Sequence, residues 1–196
     1  MHTNPRPLID VRATTAECIA SAGVDYARAA ALGISFRPVT ATDSELLYQI
    51  YAGTRTEELA PVPWTAAQKE TFLRAQSHAQ EVHYAKHYRE ATFDIILAGS
   101  TPCGRLYLNH GVNEIRIIDI ALLPDFRGRG WGTALLRDVQ HQASMADTCV
   151  TIHVEHLNPA RRLYDRLGFQ VVTDKGMYQL MKWAPMATLP PLVHLQ

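Results

Sequence analysis

The chain has 196 residues, enough for one well-buried domain of about 150 residues plus an extension. Hydrophobic residues make up 47% and charged residues 19%, the balance of a soluble globule rather than of a disordered or membrane protein. The 19 basic residues are matched by 19 acidic ones, which removes the broad positive field that nucleic acid or an anionic membrane surface would need.

In chain order, residues 1–33 are rich in Ala and short of large apolar side chains. They read as an extension, with a helix available from Thr14 to Ala31 and a stop at Gly33. Met1 to Asp10 lacks the basic-then-apolar pattern of a signal peptide. No run reaches the roughly 18 apolar residues of a membrane span. Cys18, Cys103 and Cys149 are odd in number and widely spaced, with no CxxC. That suits reduced thiols and predicts a cytoplasmic location.

The organised part begins at Ile34. Ile34 to Val39 alternates as a first strand. Asp43-Ser44-Glu45 opens a helix whose apolar face carries Leu46, Leu47, Ile50 and Tyr51. Thr65 and Gln68 form a capping box for a second helix, predicted to run to about His78. The stretch Glu81 to Glu90 is polar and aromatic. Phe93–Ala98 and Gly104–Leu108 flank a hairpin-like turn at Gly99-Ser100-Thr101-Pro102. Glu114 to Leu123 is a nearly continuous apolar strand, as in a sheet covered on both faces. A helix follows from Gly130 to about Ala146, then a strand over Cys149–Val154. Asn158 and Pro159 are placed as N-cap and N1 of a helix that Gly168 closes. Strands over Phe169–Val172 and Met177–Met181 end the pattern, and the Pro-containing tail over 187–196 is left irregular. The order β–α–α–β–β–β–α–β–α–β–β is a mixed α/β fold on one sheet.

The feature with most chemistry is the strand-to-helix turn Arg127-Gly128-Arg129-Gly130-Trp131-Gly132. A helix N-terminus leaves backbone N–H groups unpaired and carries partial positive charge, so it suits a pyrophosphate. Glycine lets a ligand approach the backbone and allows unusual φ values. Arg127 and Arg129 add positive charge. Each charge-assisted hydrogen bond to a phosphate contributes roughly 1.5–3 kcal/mol. A P-loop is excluded because GxxxxGK[ST] is absent, and the spacing is not the GxGxxG of a dinucleotide fold.

This turn resembles the cofactor motif Q/R-x-x-G-x-G/A of the GNAT (GCN5-related N-acetyltransferase) family. The preceding Ile120 to Phe126 resembles the family's fourth strand and the turn after it. Asn158-Pro-Ala-Arg-Arg-Leu-Tyr164-Asp-Arg-Leu-Gly168-Phe169 resembles its second motif, about 30 residues on. The resemblance spans Ile34 to Trp183 and leaves out the extension. It implies the acyl-CoA N-acyltransferase fold: a mixed, mostly antiparallel sheet of six or seven strands flanked by about four helices. It sets the domain at 34–186.

The resemblance also implies acetyl-CoA as cosubstrate, no metal, and direct transfer to a primary amine of a small molecule or protein. Backbone groups of Ile120, Ala121 and Leu122 would pair with the pantetheine arm like an added strand. Residues 127–132 would hold the pyrophosphate and Asn158 would contact the cofactor. Tyr164 would sit at the thioester sulfur and protonate the leaving thiolate. Read from the residues alone, Asn158 is also a plain N-cap and Tyr164 a core aromatic.

The amine must lose its proton. From a lysine-like amine this costs about 4.6 kcal/mol at pH 7, and from an α-amine about 1 kcal/mol. On the fourth strand, Arg116 and Ile118 occupy the positions where some family members carry a base, and neither can serve. Strict alternation places Asp119 on the opposite face, in a structural role. Glu155 and His153, sharing a face of the next strand, are therefore the candidate bases, with deprotonation by solvent the alternative. Trp64, Tyr84, His87 and Tyr88 lie where the family builds its acceptor pocket. His83 and His87 have metal-ligand spacing without a third ligand. Cys149 is set aside as an acyl carrier because direct transfer needs none. The partners expected are acetyl-CoA and an amine acceptor, with no nucleic acid or membrane and with a homodimer compatible with the family. The alternative function is a catalytically weak acyl-CoA sensor or partner subunit that keeps only the cofactor site.

Overall fold

The computed structural model describes residues 25–185. The N-terminal ten residues, Cys18, most of the Thr14–Ala31 helix and the 187–196 tail lie outside them. The described elements are α1 (Ala27–Ala31), β1 (Ile34–Pro38), α2 (Ser44–Leu59), α3 (Ala66–His87), β2 (Thr92–Ala98), β3 (Thr101–His110), β4 (Glu114–Leu122), α4 (Trp131–Met145), β5 (Cys149–Glu155), α5 (Arg161–Arg166), β6 (Gln170–Lys175) and β7 (Tyr178–Trp183).

The strands make one seven-stranded sheet in the order β1-β2-β3-β4-β5-β7-β6. Every pairing is antiparallel except β4 with β5. A parallel pair needs a crossover, and α4 supplies it. The mixed α/β class and the mostly antiparallel sheet agree with the expectation from sequence.

Each face of the sheet has its own core. On one face Leu106, Leu108, Ile115, Ile117, Val150, Ile152 and Val154 pack with Leu135, Leu136, Val139 and Ala143 of α4. On the other, Ile95 and Tyr107 pack with Leu47 of α2, with Tyr84 and Ile118 at the border. The N-terminal segment is tied in at α1. The buried Asp138 carboxylate accepts from the Arg28 and Ala29 amides at 3.2 and 2.9 Å, and Ala29 is fully buried.

Two boundaries differ from the sequence expectation. Helix α3 continues nine residues beyond His78 to His87, because nothing in Glu81–His87 breaks a helix. Leu73, Ser77, Gln80 and Tyr84 follow one another at helical spacing on its inner side. The hairpin turn is tighter than four residues: Ala98 pairs with Thr101, so Gly99 and Ser100 make the turn. Gly99 has φ +60, the left-handed conformation such a turn requires. Pro102 lies inside β3, beside a register shift.

Candidate active site

The site is built where β4 leaves β5. Their pairing runs from Glu114↔Cys149 to Ile117↔Ile152 and stops. Beyond it β5 continues with β7 as far as Glu155, while residues 119–122 keep only β3 as a partner. The other edge of Asp119 to Leu122 is therefore free of strand pairing. The cause is a bulge. Tyr107 opposes Asp119 and Leu108 opposes Ile117, so Ile118 has no counterpart on β3. An extra residue on one strand bends it and increases its twist, which turns β4 away from β5.

The bulge also corrects an expectation. Strict alternation set Asp119 opposite Arg116. Here Asp119 lies across from Tyr107 and Arg116 across from Asn109, two positions of equal parity on β3, so both point toward α2 and α3. Asp119 Oδ2 accepts from Arg105 Nη2 at 2.7 Å and from the Tyr84 hydroxyl at 3.3 Å.

Between the diverging strands lies a cleft of about 1180 Å³, lined by residues of β4, β5, α2, α3, α4 and α5. Its lining on one side includes Ile120, Ala121, Leu122, Arg127, Gly128, Gly130, Trp131, Gly132, Asn158 and Tyr164. The expected site residues are thus brought together, with Arg129 alone outside the lining. After β4, a 3₁₀ turn over Pro124–Phe126 leads into the glycine turn. Gly128 and Gly130 have φ +75 and +81, where a side chain is strained. A Cβ on either would meet no atom within 4 Å, so the space above both is open. The first intrahelical bond of α4 is Ala134 N to Gly130 O, and no side chain caps the helix. Its leading N–H groups face the cleft uncapped.

Three residues of the turn act differently from a simple phosphate cradle. Arg127 donates from Nε to Leu122 O and from Nη2 to Gly53 O, both at 2.9 Å, which fastens α2 to the turn. Arg129 donates to Asp125 O at 2.9 Å, with its guanidinium near the rings of Phe126 and Trp131. Gly132 is helical, and a Cβ there would touch Leu163 at 3.3 Å, so its smallness serves the packing of α4 on α5.

Tyr164 of α5 is 3% exposed and packs edge-to-face on Phe169 at 5.7 Å. Burial, with the Asp119 charge adding to it, pushes its hydroxyl well above the ordinary tyrosine value, so it keeps its proton at neutral pH. Asn158 Oδ1 accepts from Ala160 N at 2.9 Å, but α5 begins only at Arg161 with Ala160 as its N-cap, so Asn158 and Pro159 form a turn before the helix rather than its expected N-cap and N1.

On the opposite side the cleft is walled by α2, α3 and the ends of β5 and β7. Glu155 is gripped through both oxygens by Arg55, each at 2.6 Å. That hydrogen bonding holds its carboxyl below the usual carboxylate range, which makes it a weak base. His153 Nδ1 faces Arg116 Nη1 at 3.1 Å. Arginine can only donate, so the neutral ring carries its proton on Nε2 and has no free lone pair. Burial first, and the charges of Arg116 and Lys175 after it, lower the His153 value further. His153 therefore has its one lone pair engaged, and Glu155 is held through both oxygens by a permanent cation.

Tyr84, Tyr88 and His83 line this wall. Trp64 does not: it packs on Phe72 at 5.2 Å. His87 stacks on His83 at 4.2 Å and bonds its carbonyl. Cys149 lies at the far end of β5, bonded to Asn113 O at 3.4 Å. Among the described residues no group of three or more His, Cys, Asp or Glu is placed to hold a metal ion. Nor is any helix long and apolar enough to cross a membrane.

Sequence reasoning missed Arg55 and Arg105. A signal existed for the second. Arg105 interrupts the apolar strand Gly104–Leu108 and Asp119 is one of the charges in the strand after it, and opposite charges on neighbouring strands can pair.

A family model described as an acetyltransferase (GNAT) domain matches residues 90–171, from just before β2 into β6. Among solved structures, the PaiA N-acetyltransferase of Thermoplasma acidophilum in complex with coenzyme A is similar at 18% identity and a TM-score of 0.59, covering 78% of this chain and 99% of that one. An acetyltransferase from Thermus thermophilus is similar at 19% identity and a TM-score of 0.57, over 79% of this chain and 98% of that one. No curated protein sequence matches the chain.

Proposed function

We propose that this chain, whose residues 90–171 match the GNAT acetyltransferase domain model, transfers an acetyl group from acetyl-CoA directly to a primary amine. The observation that carries the reading is the parting of β4 from β5 beside an uncapped helix N-terminus. A free strand edge, an open glycine cradle and a protonated phenol line one cleft.

The residues fit acetyl-CoA as cosubstrate. The unpaired edge of Ile120, Ala121 and Leu122 offers backbone donors and acceptors to the amides of a pantetheine arm, as an added strand would. Gly128, Gly130 and the leading N–H groups of α4 suit the pyrophosphate. Arg127 contributes as the strut that holds the turn against α2, and Arg129 as surface charge beside it. Asn158, whose amide nitrogen is not used by the turn, lines the same cleft.

In the reaction the amine nitrogen forms a bond to the thioester carbonyl carbon and the C–S bond breaks. Tyr164, buried and still protonated, gives its hydroxyl proton to the departing sulfur. Glu155 and His153 then belong to the acceptor wall, where Arg55 and Arg116 engage them.

Calorimetric titration with acetyl-CoA tests the cofactor half of this reading. Gly130→Val introduces a branched side chain at φ +81 and fills the open space above the turn. Affinity should fall about 100-fold, the equivalent of one or two phosphate hydrogen bonds. Unchanged affinity in a folded variant would place the cofactor elsewhere.

A further inference from the structure

Resting on the transferase reading above, we propose that Asp119 receives the proton of the attacking amine and that buried Arg105 is the positioning residue that holds it in place.

Three observations lead there. The first is position. The bulge at Ile118 brings Asp119 onto the acceptor side of the sheet, at the point where β4 and β5 separate, and it lines the cleft.

The second is availability. Asp119 Oδ2 accepts from Arg105 and Tyr84, while among the described residues no donor bonds Oδ1. The side chain is 15% exposed and is part of the cleft lining. By contrast, both oxygens of Glu155 already accept from Arg55, and His153 has its one lone pair on Arg116.

The third is the odd chemistry of Arg105. It is 2% exposed, and its Nε and Nη1 are buried without a hydrogen-bond partner. Only Nη2 is used, on Asp119 at 2.7 Å and Gln80 at 2.8 Å. A buried ion pair with two orphaned donors does not stabilise a fold better than apolar residues of similar size. What it does supply is a charge-assisted bond that anchors one oxygen of the Asp119 carboxylate.

The proton balance closes. As the amine nitrogen bonds to the carbonyl carbon, Asp119 Oδ1 takes the nitrogen's proton and Tyr164 gives one to the sulfur. Solvent then returns a proton to Tyr164 and removes one from Asp119. No further reactant is needed.

The test is thiol release from acetyl-CoA with lysine, spermidine and an Ala-initiated peptide as acceptors, with acetyl-CoA affinity measured alongside. Asp119→Asn keeps the Arg105 bond and should lower kcat about 100-fold while acetyl-CoA affinity stays within about threefold. Arg105→Met should lower kcat in the same way. Arg105→Lys should recover much of it, since a point charge still reaches Oδ2. The double variant Arg105→Met/Asp119→Asn leaves no unpaired buried charge, so it guards against misfolding and should be as slow as Asp119→Asn. A folded Asp119 variant, single or double, with kcat near wild type overturns the assignment. Arg105→Met at wild-type kcat overturns the positioning role. If the wild-type protein releases no thiol with any acceptor, the transferase reading itself fails, and this assignment with it.

Discussion

Tyr164 illustrates how one residue meets two demands. Packed on Phe169 and sealed from solvent, it contributes to the core, and the same burial keeps its hydroxyl protonated next to the cleft. The two roles separate on substitution. Tyr164→Phe removes only the hydroxyl, so core packing and cofactor binding should persist. The account expects kcat to fall about 100-fold with acetyl-CoA affinity within about threefold. A parallel loss of affinity and melting temperature would make the tyrosine a packing residue only. Tyr164 and Asn158 could be placed from sequence because they sit in a short motif whose geometry is local. Asp119 could not. Its face depends on whether Ile118 is counted in the strand register, and nothing in Ile117-Ile118-Asp119-Ile120 marks the bulge. Arg55 was equally hidden, since its partner Glu155 lies 100 residues away.

At the scale of elements, β4 decides the site, and its course is fixed from the side by β3. Gly104 faces Leu122 in the register. A Cβ there would overlap the Ala121 carbonyl oxygen and come within 2.8 Å of Leu122 Cδ2. The obstacle is backbone, which cannot swing aside as a flexible side chain would. Gly104→Ala should therefore destabilise the fold by about 1–3 kcal/mol, the usual cost of overpacking, and lower the melting temperature by roughly 5 °C. It should also weaken acetyl-CoA binding, because Ala121 and Leu122 form the free edge. An unchanged melting curve would show that β3 and β4 have room for a methyl group between them. The glycine turn before α4 was readable in advance, since positive φ and an uncapped helix start are written into Gly128 and Gly130. The length of α3 was not. Its last turns are polar in sequence, and they are helical because Tyr84 meets the sheet and Asp119 there.

In the whole molecule, the sheet is two pieces joined by a short seam. Strands β1 to β4 form one piece and β5, β7 and β6 the other, and they pair over four positions from Glu114 to Ile117. Helix α4 crosses between them, while α2 and α3 cover one face. The cleft draws on all of these elements, which explains why its two sides differ in how much the sequence discloses. The side proposed for the cofactor comes from one continuous stretch, 120–132, with α5 close behind. The acceptor side is assembled from α2, α3 and strand ends far apart in the chain, and its register rests on a bulge. The central claim is that the two sides meet in one reaction. Its most direct measurement is thiol release from acetyl-CoA across amines and peptides, with the acetylated amine identified by mass spectrometry. The account predicts acetyl-CoA-dependent release matched by an equal amount of one class of acetylated amine. Saturable acetyl-CoA binding with no acetylated product from any primary amine would contradict it and favour a domain that binds acyl-CoA without turning it over.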